Sequence, residues 1–202
     1  MERIKRVAAE WEDHRLLHRG RMEARAHFGR WADAEAALRG DEAERLGALS
    51  LNGEWKFLHL EGPELSPEGF ESEAFDDSAW DDIPVPSHWQ LQGYGKPHYT
   101  DVYYQFPVDP PFVPRDNPTG IYRRRFRLGP SAGRRILRFH GVDSAYHVWV
   151  NGRALGYSKV ARMTAEFDAT DLLREGENTI TVCVYQWSDG TYLEDQDMWW
   201  LS

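Results

Sequence analysis

A segment at the end of the chain, residues 188–202, combines carboxylates with large aromatic side chains behind a Ser-Asp-Gly turn signal. This combination suits a sugar, because aromatic rings can cover the C–H face of a pyranose while carboxylates accept hydrogen bonds from its hydroxyl groups. The alternative is a solvated acidic loop whose aromatics fill the core, since acidic loops are common. The residues concerned are Asp189, Tyr192, Glu194, Asp195, Asp197, Trp199 and Trp200.

Three carboxylates of this segment, Glu194, Asp195 and Asp197, raise the question of glycoside hydrolysis. A retaining mechanism needs two carboxyl groups about 5 to 5.5 Å apart, one as acid/base and one as nucleophile. A lone loop lacks the enclosure and rigid support that would raise one pKa and hold the pair in place. We therefore expect these three carboxylates not to form a catalytic pair by themselves.

Length and charge limit the classes of protein to which the chain can belong. Its 202 residues fit one domain plus an arm and are too few for a β-sandwich and a catalytic barrel together. The net charge of -9 and the pI near 5.4 disfavour nucleic acid and anionic membranes as partners. The N-terminus lacks the apolar stretch of a signal peptide and no run reaches the length of a membrane span, so cytoplasmic residence is the expectation.

The cysteine and histidine residues give little sign of special chemistry. The single cysteine, Cys183, excludes an intramolecular disulfide and is predicted to be a small strand residue. His88 and His98 lack the spacing of helical metal-binding histidine pairs, so neither is predicted to bind a metal ion. Both lie in residues 87–117, which are rich in proline, show no clean hydrophobic period and are predicted to form a long structured loop.

The hydrophobic pattern divides the chain near residue 48. Residues 1–48 are predicted to form an extended arm with one short helix at about residues 32–38, which Gly40 would end. From residue 49 the pattern has a period of two, and Asn151-Gly152 signals a hairpin. Several short strands at this spacing predict an all-β, jelly-roll type β-sandwich over residues 49–202. The expected strands are near residues 54–59, 121–128, 136–140, 145–150, 154–158, 166–169 and 178–187, with 83–86 as an edge strand.

Three consecutive arginines, Arg123, Arg124 and Arg125, would suit a polyanion if they formed one cluster. Successive side chains of a strand point to opposite faces, so the three cannot do so. The prediction is a solvated or inter-domain face.

The C-terminal segment, residues 188–202, also resembles a motif of a known protein family. Its string SDGTYLEDQDMW, residues 188–199, resembles the signature that closes the N-terminal domain of β-galactosidases of glycoside hydrolase family 2. Further matching strings are SLNGEWKF from residue 50, VPSHWQLQGYGKPHYTDVYY from residue 85, DPPFVPRDNPTGIY from residue 109 and GVDSAYHVWVNG from residue 141. The resemblance runs from Trp11 onward and is specific to the galactosidase branch, since a glucuronidase or mannosidase is not expected to carry EDQDMW.

The resemblance implies a fold and a function. The fold is a galactose-binding-domain-like sandwich, and the chain is the N-terminal part of an enzyme that hydrolyses terminal non-reducing β-D-galactose residues in lactose-type β-galactosides. Asp197 corresponds to a residue that contacts the galactosyl hydroxyls and a bound sodium ion, and Asp101 falls where a substrate-contacting asparagine is known. An ionised Asp only accepts hydrogen bonds, whereas Asn also donates.

The resemblance places the rest of the machinery elsewhere. The catalytic glutamates are expected in a downstream barrel and the magnesium site mainly outside this chain, so the chain alone is expected to be inactive. Its expected partners are a β-galactoside, the downstream domains and, at full length, further copies of the same enzyme.

Two other classes remain open from the residues alone. A free-standing carbohydrate-binding module would use Trp89, Trp199 and Trp200 as a stacking platform. A structural domain would use the same aromatics to dock a neighbour, with Asp197 as an inter-domain pairing residue and Asp101 as a turn residue. The coding sequence downstream of Ser202 distinguishes an enzyme part from a module.

Overall fold

The computed structural model describes residues 9–41, 44–97, 106–130 and 132–194 and shows two antiparallel sheets within them. Their strands are β1 (His18–Arg19), β2 (Gly53–Leu60), β3 (Asp81–Val85), β4 (Thr119–Leu128), β5 (Ile136–Phe139), β6 (Ala145–Val150), β7 (Arg153–Lys159), β8 (Ala165–Asp168) and β9 (Gly176–Tyr185). The larger sheet has the order β1-β7-β6-β9-β4-β2-β3, and the smaller one pairs β5 with β8. The predicted all-β sandwich is confirmed.

Two short α-helices accompany the sheets in the described residues, α1 (Ala34–Arg39) and α2 (Thr191–Glu194). The side chain of Asp33 accepts a hydrogen bond from Ala36 N at 2.8 Å and so caps the start of α1. Gly40 ends this helix in the left-handed conformation, with φ of 67°. The short helix expected in the arm is therefore present, and it begins and ends for the local reasons that its sequence indicates.

The hairpin between β6 and β7 also follows from local sequence. Asn151 and Gly152 both have positive φ, 50° and 73°, as the tight turn of a two-residue hairpin requires. Strand β3, which contains Pro84, lies at the edge of the larger sheet next to β2. A proline has no N–H for a second neighbour, so the edge is the position in which it fits.

One face of the larger sheet, here called the sandwich face, is apolar and packs against the smaller sheet. Strands β6 and β9 contribute alternate residues to it, and Phe139 and Phe167 of the smaller sheet pack on Tyr146 with ring centroids 4.9 and 6.3 Å away. The alternation of period two gives each strand a set of apolar side chains on this side. The buried members of the cluster are Trp55, Phe57, Ile83, Trp89, Tyr146, Val148, Ala165, Phe167, Ile180, Val182 and Val184.

The opposite face, here called the arm face, is covered by connecting segments instead of a second sheet. Trp11 and Leu16 of the N-terminal arm pack on it, and so do Phe70, Phe75 and Trp80 of the connection between β2 and β3. Strand β1 of the arm also pairs with β7, so residues of the arm form the edge of the sheet. The division of the chain at residue 48 stays a prediction, and the described part of the arm is packed against the sandwich.

The prediction that the three arginines line a solvated or inter-domain face is wrong for Arg123. The three side chains do alternate between the two faces of the strand. Arg123 and Arg125 both bond Asp77 on the arm face. Arg124 instead donates to the carbonyls of Leu51 and Asn52. Arg123 is 1% exposed, however, and its Nε donates to Asp77 Oδ2 at 2.9 Å. The connection between β2 and β3 folds over this face and supplies the carboxylate, which the strand pattern did not reveal.

The carboxyl group of Asp77 is held ionised by these contacts. Burial raises its pKa, but hydrogen bonds from Arg125 and Arg123 outweigh that effect, and the pKa of Asp77 lies below its ordinary value. The ion pair is buried and hydrogen-bonded on both sides, which is the arrangement that compensates for the loss of water.

Cys183 is the small, buried strand residue that the sequence predicts. Burial raises the pKa of its thiol to about 12. The thiolate is therefore scarce at neutral pH, and the residue acts as packing on the arm face.

Removing the carboxylate of the buried pair, Asp77→Ala, should lower the free energy of unfolding by about 3–5 kcal/mol, because Arg123 would remain buried without its partner. Glu177→Ala is the matched control, since it breaks the Arg127–Glu177 pair, whose side chains are 74% and 73% exposed. It should cost less than about 1 kcal/mol. Urea denaturation of both variants measures this, and equal losses would contradict the importance of the buried pair.

Candidate functional site

The described part of the C-terminal segment, residues 188–194, is built into the arm face. Ser188 Oγ accepts a hydrogen bond from Gly190 N at 3.1 Å and lies 2.6 Å from Ser144 Oγ. Ser188 N donates to Thr191 Oγ1, and Thr191 N donates back to the Ser188 carbonyl. These bonds form a closed turn that leads into α2.

The carboxylate of Asp189 forms an ion pair with Lys159 at the end of β7. Lys159 Nζ lies 2.6 Å from Asp189 Oδ1 and also donates to the carbonyl of Asp13 at 2.9 Å. The side chains of Lys159 and Asp189 are 3% and 8% exposed. One buried ammonium group thus joins strand β7, the N-terminal arm and the turn at residue 188.

Tyr192 is the centre of a second anchor, which we call the Tyr192 cluster and which comprises Phe106, Val113, Trp187 and Tyr192. The hydroxyl of Tyr192 donates to the carbonyl of Phe112 at 2.6 Å and accepts from the N–H of Asp109 at 3.2 Å. The cluster therefore holds residues 106–113 against α2.

The N-terminal arm completes this anchor. The ring of Trp11 stacks on Tyr185 with centroids 4.1 Å apart, and its carbonyl accepts from Asp189 N at 2.8 Å. Glu12 is 1% exposed, and its carboxylate accepts from Val113 N at 3.1 Å. The backbone N–H groups of Asp189 and Val113, which lie in separate segments, thus both donate to neighbouring residues of the arm.

The two predicted substrate-binding residues, Asp197 and Asp101, lie outside the described residues, and so do Trp199, Trp200 and His98. In the sequence, the segments that contain Asp101 and Asp197 each adjoin a residue or helix of the Tyr192 cluster. Residues 98–105, which contain Asp101, continue into Phe106, and residues 195–202, which contain Asp197, follow α2. The rings of Phe106 and Tyr192 are 5.7 Å apart. The cluster thus joins the ends of the two segments that carry the candidate residues.

Other members of the C-terminal segment have structural roles, which corrects their interpretation as sugar contacts. Asp189 is paired with Lys159, and Glu194 accepts a hydrogen bond from Ala161 N at 3.2 Å. Tyr192 is 7% exposed, so for this ring the alternative that the aromatics fill the core is confirmed.

Trp89 cannot serve as a stacking platform. Its side chain is 5% exposed and packs against Phe57 and His59 on the sandwich face. The prediction that this ring forms part of a carbohydrate-binding surface is therefore wrong. The proline-rich region around Trp89 gives no periodic pattern, so the sequence could not distinguish a buried indole from an exposed one.

A polar chain of contacts links the arm to the sheet at His147. The Nε2 atom of His147 lies 2.7 Å from Glu10 Oε2, and Nδ1 lies 2.9 Å from the hydroxyl of Tyr185. Because a carboxylate only accepts, the proton is on Nε2, and Nδ1 of the neutral ring accepts from Tyr185. Burial lowers the pKa of His147 despite the opposing effect of Glu10.

No group of three or more His, Cys, Asp or Glu side chains is arranged to hold a metal ion in the part of the chain that the structure describes. None of its helices is long and apolar enough to cross a membrane. The sodium site predicted at Asp197 falls outside these residues and stays a prediction.

The antiparallel sandwich, with its C-terminal segment anchored against the arm, places the chain in the class of all-β sandwich domains. The family model described as "Glycosyl hydrolases family 2, sugar binding domain" matches residues 48–202. The chain belongs to glycoside hydrolase family 2, as its motifs predict.

Curated relatives are similar along nearly the whole chain. A beta-galactosidase of Vibrio vulnificus (strain CMCP6) is 48% identical over 196 residues, and one of Psychromonas ingrahamii is 49% identical over 198 residues. Each alignment covers 96% of this chain and 19% of the relative. The chain thus spans about a fifth of the length of these relatives.

Solved structures show the same fold at greater distance. A Bacteroides uniformis beta-glucuronidase aligns with a TM-score of 0.50 and 26% identity over 68% of this chain and 14% of its own. A beta-glucuronidase from glycoside hydrolase family 2 aligns with a TM-score of 0.51 and 23% identity over 66% of this chain and 13% of its own.

Removing the hydroxyl of the central tyrosine, Tyr192→Phe, should cost about 1–3 kcal/mol of unfolding free energy, because the Phe112 carbonyl and Asp109 N–H lose a buried partner. The amide of Asp109 should also exchange faster with solvent. Tyr94→Phe is the matched control, since its hydroxyl bonds Asp81 at the exposed surface. Denaturation and hydrogen exchange measure both, and unchanged Asp109 exchange would contradict the anchor.

The stability of the domain should fall as the pH is lowered from 7 toward 5. Because the folded pKa of His147 is depressed, the unfolded chain binds a proton from about pH 6.5 downward before the folded chain does. His147→Gln should reduce the slope of unfolding free energy against pH in this window. Urea denaturation across the pH series measures this, and equal slopes would contradict the assignment.

Proposed function

We propose that this chain is the sugar-binding part of a β-galactosidase that hydrolyses terminal non-reducing β-D-galactose residues in lactose-type substrates. In this proposal Asp197, with help from Asp101, provides one wall of the galactose site. The catalytic glutamates and most of the remaining contacts come from outside the chain.

The observation that carries this proposal is the similarity to proteins named beta-galactosidase, at 48% and 49% identity over 96% of the chain. The solved beta-glucuronidases are only 23% and 26% identical. The galactosidase relatives are therefore the better guide to the substrate, and the family places the reaction among glycoside hydrolyses.

Three carboxylates of the described residues are engaged in ion pairs within the fold. Asp77, Glu166 and Asp189 are each paired with arginine or lysine at close range. Burial raises the pKa of Glu166, but hydrogen bonds from Arg25 and Arg138 outweigh it and lower the pKa below its ordinary value. A glycosidase acid needs the opposite, a carboxyl group whose pKa is raised so that it keeps its proton. These three carboxylates therefore serve the fold.

The proposed chemistry of the wall is simple. An ionised Asp197 accepts hydrogen bonds from galactosyl hydroxyls and supplies one oxygen ligand to a sodium ion. Asp101 adds a second acceptor, and its inability to donate distinguishes it from the asparagine of the resembling enzymes. Magnesium would bind mainly through residues outside this chain. A cytoplasmic location and assembly into a homo-oligomer belong to the same proposal.

The two alternative functions have less support. The burial of Trp89 removes one of the three aromatics on which a free-standing carbohydrate-binding module would depend. A purely structural docking domain leaves the galactosidase-like motifs around Asp101 and Asp197 without a role. The enzyme part accounts for both features.

The isolated chain should not hydrolyse a chromogenic β-galactoside, because in this proposal the catalytic glutamates lie outside it. It should bind galactose no more tightly than the millimolar range, and Asp197→Ala should weaken this binding about tenfold. The reason is that hydrogen bonds to a charged group contribute about 1.5–3 kcal/mol each, while association costs at least about 4 kcal/mol. Calorimetry or NMR titration, with and without sodium, measures the affinity.

Ser50→Ala is the matched control, because it removes an exposed polar side chain in the segment before β2. Turnover by the pure chain that disappears in Asp197→Ala would contradict the proposal. A micromolar galactose constant would also contradict it, and would favour the free-standing module.

A further inference from the structure

A cavity of about 560 Å³ lies beside the arm and is separate from the Lys159–Asp189 pair. Its lining residues are Trp11, Pro63, Glu64, Pro114, Arg115 and Asn117. The volume falls within the range of small-molecule sites, which are typically about 300–1,000 Å³. Three of these residues are a tryptophan and two prolines, whose ring carbons give the cavity an apolar wall.

The wall of this cavity is rigid before any ligand binds. Trp11 is held by its stack on Tyr185 and by the hydrogen bond from Asp189 N to its carbonyl. Asn117 is fixed from both ends, since its Nδ2 donates to the Trp187 carbonyl and its Oδ1 accepts from Trp187 N, both at 2.8 Å. Pro63 and Pro114 have restricted backbones. A ligand would therefore meet a surface that loses little conformational entropy on binding.

The rim of the cavity carries two opposite charges that the fold does not use. Glu64 and Arg115 are both exposed. Within residues 9–41, 44–97, 106–130 and 132–194, neither side chain forms a hydrogen bond or ion pair. One carboxylate offers acceptors and one guanidinium offers donors, so together they match a ligand with several hydroxyl groups.

We propose that this cavity binds a neutral pyranoside, with the sugar's C–H face on Trp11 and its hydroxyl groups bonded to Glu64 and Arg115. An aromatic ring beside polar groups of both kinds is the combination that a pyranose, apolar on one face and polar at its edge, requires. The six described lining residues are different from Asp197 and Asp101, and the proposal treats this site as additional to the galactose wall proposed above. It extends the sugar-binding capacity of the domain to a second sugar unit.

The test is an NMR titration of the 202-residue chain with methyl β-D-galactopyranoside and, separately, methyl β-D-glucopyranoside. The indole signal of Trp11, assigned by its loss in Trp11→Phe, should shift and saturate in the millimolar range with at least one sugar. The double variant Glu64→Gln/Arg115→Ala should weaken this binding by at least about tenfold, because Arg115→Ala removes a charge-assisted hydrogen bond and Glu64→Gln removes the charge from the other. Both side chains are exposed, so the variant should fold normally.

Two controls make the outcomes decisive. Glu68→Gln/Arg127→Ala changes the same charges at other exposed positions and should leave the Trp11 titration unchanged. Asp197→Ala should also leave it unchanged, whatever happens to the galactose wall. The proposal is overturned if Trp11 shows no saturable shift at roughly 100 mM of either sugar. It is equally overturned if Asp197→Ala abolishes the shift or if the Glu64/Arg115 variant binds as well as the original chain.

Discussion

The buried ammonium group of Lys159 is the contact on which the arrangement of the candidate site depends. It joins Asp189 in the turn after β9 to the carbonyl of Asp13 in the arm, and it extends from the end of β7. A lysine that is 3% exposed needs a carboxylate partner, because an unpaired buried charge costs several kcal/mol. The arm, the sheet and the turn before α2 are therefore held in one arrangement, and each requires the other two.

This constraint explains why the arm face differs from the sandwich face. The sandwich face packs against β5 and β8, whose backbone groups bond each other, and apolar side chains form the contact there. The arm face is covered by segments without regular structure, whose backbone groups need partners from side chains. Glu12, Tyr192 and Arg123 supply such partners by bonding Val113 N, the Phe112 carbonyl and the Ser72 carbonyl. Buried polar groups thus hold the segments that lead to the candidate site.

The sequence predicts the strands well because their signals are local. Trp55 and Phe57 alternate with more exposed neighbours, Asn151-Gly152 forms the hairpin, and Gly40 ends α1 as expected. It predicts the coverage of the sheet poorly, because that depends on contacts between distant residues. Arg123 pairs with Asp77, 46 residues away, and no period in either segment indicates the other.

The candidate site shows the same difference between local signals, which the sequence reveals, and contacts between distant residues, which it does not. The composition of residues 188–202 indicates a sugar, and the motif indicates the family, which the comparison confirms. The structural roles of Asp189 and Tyr192 could not be predicted, since Lys159 and Phe112 come from other parts of the chain. Asp197 and Asp101 remain predictions of the motif.

The central claim is that this domain belongs to an enzyme selective for β-galactosides, and substrate discrimination tests it most directly. The measurement is kcat/KM for a chromogenic β-galactoside and for the corresponding β-glucuronide. The protein assayed is the product of the whole gene, in which this chain is expected to be the N-terminal part. The account predicts that the β-galactoside is preferred by at least about a thousandfold, since a site built for a neutral hydroxymethyl group leaves a carboxylate unpaired. Equal values for the two substrates, or a preference for the β-glucuronide, would contradict it.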